Sequence, residues 1–259
     1  MRINELTLSG FRNYRRQNLR FDASCNVIYG ENAQGKTNLL EAVVYLSCGK
    51  SPRTRTEREL ISFDGGEARI IGEIYSRERE FIPDITLRAG SRRKMTVNGV
   101  AAKNASELSE VLHTVFFSPE DLFLIREGAA ARRRFMDQSL CQLRPRYARA
   151  LAEYHRLYEH KTRILRDREE NPGLLAMLPD FNEGMCRMGA ILIHYRAQYC
   201  RALDGYAAPA HGDCSGGREK LQLHYETVKT VVDPFAKTED IAQNLREHQE
   251  SHYHAELSS

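Results

Sequence analysis

Residues 30–42 read GENAQGKTNLLEA, and the spacing of Gly30, Gly35, Lys36 and Thr37 is that of a phosphate-binding loop, G-x-x-x-x-G-K-[ST]. The flanks supply the context the motif needs. An apolar run at 25–29, CNVIY, reads as a strand stopped by Gly30, and residues 35–47 carry Leu39, Leu40, Val43, Val44 and Leu46 at helical spacing before Gly49 and Pro52 end the helix. In a strand–loop–helix of this kind the glycines let backbone N–H groups converge on phosphate oxygens, and the helix N-terminus adds partial positive charge. The expected nucleotide site is therefore Gly30, Glu31, Asn32, Ala33, Gln34, Gly35, Lys36 and Thr37. Lys36 would reach the β and γ phosphates, and the Thr37 hydroxyl would ligate magnesium.

Working outward, two alternating segments precede the loop, RINELTL at 2–8 and QNLRFD at 17–22, each with the period of a half-buried strand. Small-molecule kinases and GTPases share the loop, but a small kinase usually places it after its first strand. The antiparallel prelude points instead to ATPases of the ABC and SMC type. After the helix, ARIIGEIYS, FIPDITLR and RKMTVNGVAAK are strand-like, the last with an Asn98-Gly99 hairpin turn, and predict a second, smaller sheet. From Pro145 the pattern changes. Tyr147, Leu151, Tyr154 and Tyr158, and then Phe181, Met185, Met188, Leu192, Tyr195 and Tyr199, recur on single helix faces, separated by the turn REENPG. Two antiparallel helices with core-packing stripes are expected. A glycine-rich HGDCSGG then precedes a strand-like KLQLHYETV and a polar helical end.

Composition bounds the chemistry. Lys and Arg total 38 against 35 for Asp and Glu, a net charge of +3 over 259 residues, so an argument for nucleic acid must rest on local clusters. The six cysteines form no C-x-x-C pair and read as reduced, mostly buried small hydrophobes. Apolar runs fall short of the roughly 18 residues of a membrane span, and the N-terminus MRINELTLSGFRNY lacks a signal-peptide core, so a cytoplasmic protein is expected.

Five ordered blocks resemble the RecF family of bacterial SMC-like ABC ATPases: Leu6-x-Leu8-x-x-Phe11-Arg12-Asn13-Tyr14, the loop itself, SPRTRTERELI at 51–61, FFSPEDL at 116–122 and RRRFMDQSL at 132–140. The resemblance runs over nearly the whole chain. It implies an α/β fold, a P-loop ABC/SMC-like ATPase head with an inserted small sheet and an antiparallel helical hairpin. The corresponding division is residues 1–120 as the N-terminal part of the head with its inserted lobe, 121–212 as the helical lobe, and 213–259 as the start of the returning ATPase half. It also implies ATP and magnesium as cofactors, an ATP-dependent homodimer on single- and double-stranded DNA, a link to the SOS response, and a role in helping RecR and RecO load RecA at single-strand gaps. Arg12 and Asn13 fall where SMC-like heads bring a loop near the nucleotide, and are read either as secondary contacts or as a strand-end cap. Ser118 to Asp121 are read either as phosphate sensors or as a helix N-cap.

Two parts of this ATPase class are not found. Leu46-Ser47-Cys48-Gly49-Lys50 mimics a signature but ends the loop helix itself, and Ser215-Gly216-Gly217-Arg218 is followed by strand-like sequence. Val231-Val232-Asp233 resembles a Walker B strand only in outline, because Pro234 stands where the second acid belongs. The head is thus expected to be incomplete and C-terminally truncated, with no catalytic residue of its own. Three basic clusters are candidate DNA contacts: Arg53 and Arg55, with Lys50 and Arg58; Arg92, Arg93 and Lys94; and Arg132, Arg133 and Arg134. The alternatives to an ATP-gated repair protein are a nucleotide-binding fragment without turnover and a small-molecule phosphotransferase. His248, His252 and His254 are read as a polar tail rather than a metal site.

Overall fold

The computed structural model of the chain describes residues 1–253, and divides after Arg126 into two compact units. His254 lies outside the described residues.

The first unit is built on one antiparallel sheet. Its strands are β1 (Arg2–Phe11), β2 (Tyr14–Arg20), β3 (Glu67–Ser76), β4 (Arg79–Phe81), β5 (Pro83–Arg88), β6 (Lys94–Val97) and β7 (Val100–Ala101), in the order β2-β1-β3-β5-β6-β7, with β4 also paired to β3. The segments expected to form a separate small sheet instead continue the sheet of β1 and β2. The join is the antiparallel pairing of β1 with β3, Leu8 opposite Ile70 and Arg2 opposite Tyr75. Alternation decides which face is buried: Leu6 and Leu8 on β1, Ile70 and Ile74 on β3, and Ile85 and Leu87 on β5 all point into the core. Each such side chain contributes roughly 1.5–3 kcal/mol of burial.

Helix α1 (Lys36–Cys48) lies across that face, burying Leu39, Ala42, Tyr45 and Leu46. Gly72 on β3 has no side chain where one would collide with Leu46, which fixes how closely α1 approaches the sheet. Gly49 ends α1 in the left-handed conformation, φ 61°, donating its N–H to the Tyr45 carbonyl. The short α2 (Ser106–Val111) packs beside α1. The Asn98-Gly99 turn is a hairpin turn as expected, with φ 50° and 78° and Val97 paired to Val100.

Two expected strands do not form. Residues 25–29 and 220–228 are irregular. A strand is a pairing rather than a property of one segment, and neither stretch has a ladder partner among the described residues. Val27 and Tyr29 accordingly stand 79% and 90% exposed.

The second unit is helical: α3 (Ala129–Leu143), α4 (Pro145–Arg166), α5 (Leu178–Ser215) and α6 (Thr238–Ser251). The expected hairpin is α4 against α5. Its core joins Leu140, Tyr147, Ala150, Leu151 and Leu192, with Tyr154, Met188, Tyr195 and Tyr199 packed at its margin; Tyr158 is exposed. Tyr147 and Tyr195 meet edge to face at 5.9 Å. Beside them Arg196 pairs with Asp137 at 2.8 Å, and the Tyr147 hydroxyl donates to the same carboxylate. The HGDCSGG stretch is not a loop throughout, since α5 runs to Ser215 and stops only where Gly216 turns left-handed at φ 63°. Helix α6 closes over α5 by burying Ile241 and Ala242 against Ala190, Ile193 and Val231. Among the described residues, no helix is long and apolar enough to cross a membrane.

Candidate phosphate-binding site

The loop of residues 30–35 enters α1 through three positive φ angles, Gly30 at 144°, Ala33 at 64° and Gly35 at 100°. At Gly35 the need for glycine is steric as well as conformational, because a Cβ there would stand 2.6 Å from the amide of Asn13. Lys36 folds back over the loop, its ammonium donating to the carbonyls of Gly30 at 2.8 Å and Glu31 at 2.6 Å. Helix α1 begins with neither a side-chain cap nor an acid in its first turn, so its initial N–H groups and dipole are left for an anion. Thr37 is exposed at that end.

A cavity of about 290 Å³ is lined by Asn32, Ala33, Gly35, Lys36, Thr37, Asn38 and Arg53. The donor set fits a nucleotide's phosphate chain on chemistry alone: free helix-start amides, an ammonium and a guanidinium, with a hydroxyl at the edge suited to a phosphate-bound magnesium ion. Sequence reasoning placed Arg53 among the DNA contacts, yet its side chain lines this cavity. Its Nη1 donates to Asn38 Oδ1 at 2.7 Å and to Glu41 Oε2 at 3.1 Å.

Arg12 and Asn13 occupy the turn between β1 and β2, Arg12 with φ 53°. Arg12 does not reach into the cavity. Its guanidinium grips Glu41 with Nε and Nη2 at 2.9 and 2.8 Å and donates from Nη1 to the Glu59 carbonyl. Asn13 is nearer, donating to the Gln34 carbonyl at 3.1 Å and accepting from Asn38 at 2.9 Å. Tyr14 adds a hydrogen bond to the Gly35 carbonyl at 3.0 Å. The residue tying these groups together, which the sequence reading did not single out, is Glu41. Its one available signal was an acid inside the apolar run LLEAVV.

Glu41 is wholly buried. Burial, the largest single influence, pushes its carboxyl up, but hydrogen bonds from Arg12 and Ser51 and the charges of Arg12 and Arg53 together hold it below its ordinary value of 4.5. A depressed native value means stability that is complete above the ordinary value and is lost as pH falls through the native one. Melting temperature followed from about pH 6 to pH 3 should therefore fall at the acid end, less steeply in Glu41→Gln than in the parent. Equal slopes would show that the carboxylate adds nothing.

The other expected residues are spread out. Arg55, Arg92 and Lys94 are exposed in the first unit and Arg132, Arg133 and Arg134 in the second. Arg93 turns inward, its Nη1 bonded to Tyr45, the Gly49 carbonyl and Glu57. Ser118 and Asp121 bond each other reciprocally across the start of a short turn, which is the N-cap arrangement.

Comparison with known proteins places this geometry. An AAA domain family model matches residues 5–171. The DNA replication and repair protein RecF of Agathobacter rectalis is 38% identical over 247 residues, covering 95% of this chain and 68% of that protein. The chain belongs to the RecF family. The RecF protein of Bacillus velezensis is 34% identical over 252 residues, covering 97% of this chain and 67% of its own length. Among solved structures, the recombination mediator protein RecF-ATP of the RecFOR pathway superposes with a TM-score of 0.90 at 28% identity, covering 99% of this chain and 68% of the other. The chain spans between 61% and 68% of the length of the curated family members it matches, and the head-type α/β fold is shared over nearly all of it.

Proposed function

We infer that this chain is the nucleotide-gripping part of a RecF-family recombinational repair protein, binding ATP with magnesium at residues 30–37 and engaging DNA in an ATP-dependent way. The observation that carries this reading is the uncapped start of α1 beneath a folded-back Lys36, with Arg53 on the same cavity. Lys36 would exchange its two carbonyl partners for the β and γ phosphates, the helix-start amides would hold the chain in place, and Thr37 would ligate the metal. Bound there, magnesium would supply charge neutralisation to the phosphates. Arg55, Arg92, Lys94 and Arg132 to Arg134 are candidates for DNA phosphate contact, an interaction blind to sequence and steeply weakened by salt. Dimerisation on DNA and work with RecO, RecR and RecA belong to the same proposal, resting on family membership. Turnover is not assigned to this chain. Asp233 lies in a turn after the 91% exposed Val232, not at the end of a buried strand.

The test is retention of a gapped duplex on the purified chain with and without ATP and magnesium, in rising salt. Tighter binding with ATP, lost on raising salt, is expected. DNA affinity indifferent to ATP would overturn the ATP-gated reading.

A further inference from the structure

Glu41 stands one helical turn beyond Thr37 and three residues beyond Asn38, out of reach of any ligand because it is fully buried. Its carboxylate nevertheless gathers four donors from two separate stretches of chain: Arg12 Nε and Nη2, Arg53 Nη1, and the Ser51 hydroxyl at 2.5 Å. Both stretches lead back to the phosphate loop. Ser51 Oγ in turn accepts the backbone N–H groups of Arg53 and Thr54, each at 3.0 Å, so the chain that carries Arg53 into the cavity is pinned through Glu41. Arg12 is the residue before Asn13, whose amide lies against Gly35, donates to the Gln34 carbonyl and accepts from Asn38. Asn38 closes the circuit by accepting from Arg53.

We propose that Glu41 is a positioning residue for nucleotide binding, holding the β1–β2 turn and the 51–54 loop so that Asn13 braces the phosphate loop and Arg53 faces the phosphates. This rests on the ATP-binding reading above and deepens it. Removing the charge leaves two guanidiniums around a neutral amide, frees Arg53 to leave the cavity and loosens the turn. The cost falls on affinity for the phosphate chain rather than for the base. An ordinary helix acid at this position would have been exposed and unpaired, and its loss would have been silent.

The experiment measures the affinity of the full chain for ATP and for inorganic tripolyphosphate, each with magnesium, in the parent, Glu41→Gln, Asn13→Ala, Arg53→Met and the Glu41→Gln/Arg53→Met double variant. Glu41→Gln should weaken both ligands on the order of tenfold, the scale of a small misplacement at a preorganised site. The double variant should lose less than the sum of its two parts, because Glu41 acts partly through Arg53. A purely structural acid would lower the melting temperature but leave the folded protein's affinity alone, and would show no coupling to Arg53. Glu41→Gln affinity within twofold of the parent, or strict additivity with Arg53→Met, would overturn the proposal. If Glu41→Gln does not fold, Asn13→Ala decides: unchanged affinity for tripolyphosphate overturns it. A parent that binds neither ligand would overturn the ATP-binding reading itself, a result distinguishable from a parent that binds and a Glu41→Gln that binds equally.

Discussion

Lys36→Ala should lose ATP binding by about 100-fold or more, close to 3 kcal/mol, while melting at nearly the parent temperature. The asymmetry follows from what the lysine touches. Its ammonium bonds to two loop carbonyls, those of Gly30 and Glu31, in a partly exposed place where water can replace it. Toward a triphosphate, the same group is a compact charge making charge-assisted hydrogen bonds, the strong class. Titration calorimetry beside a thermal melt separates the two quantities. A Lys36→Ala variant that keeps parent affinity would show that the cavity is not a phosphate site, whatever its shape.

Phe11→Ala should destabilise the first unit by about 3–5 kcal/mol. Phe11 is fully buried at the end of β1, between Gly10, whose carbonyl accepts the Ser62 N–H, and Arg12, whose N–H donates to the Leu60 carbonyl. Truncation would leave a cavity at the point where the sheet, the 57–62 segment and the turn carrying Arg12 meet. Urea denaturation followed by circular dichroism reads the loss, and a cost under about 1 kcal/mol would mean the site collapses around the gap. Nucleotide affinity of the remaining folded protein should drop as well, since Arg12 and Asn13 follow directly in the chain.

The sequence made legible what is local. The tight turn at 30–35, α1, the Asn98-Gly99 turn and the α4–α5 pair were all readable because each depends on spacing within one segment. What escaped depends on partners distant in the chain. Residues 25–29 and 220–228 have strand-like composition, but composition does not supply a neighbour to pair with. The separate small sheet was expected because nothing local reveals that β3 would dock on β1, more than sixty residues earlier. Glu41 looked like a helix acid because its arginines arrive from positions 12 and 53, and a run of basic residues says nothing about which of them, like Arg93, turns inward or which, like Arg53, lines a cavity. The end of α5 escaped for the opposite reason: glycines at 212, 216 and 217 suggest a loop, whereas packing carries the helix past the first of them.

The order of the sheet also bears on how the molecule avoids its own kind. One rim is β2, with Arg15, Arg16 and Arg20 exposed along it; the other is β7, only two residues long. Charge on one rim and brevity on the other deny a second sheet a template for edge-to-edge growth. Large apolar side chains also stand exposed in irregular stretches, Val27, Tyr29, Val115 and Phe117 among them. Substitutions aimed at solubility would therefore start at those side chains rather than along β2.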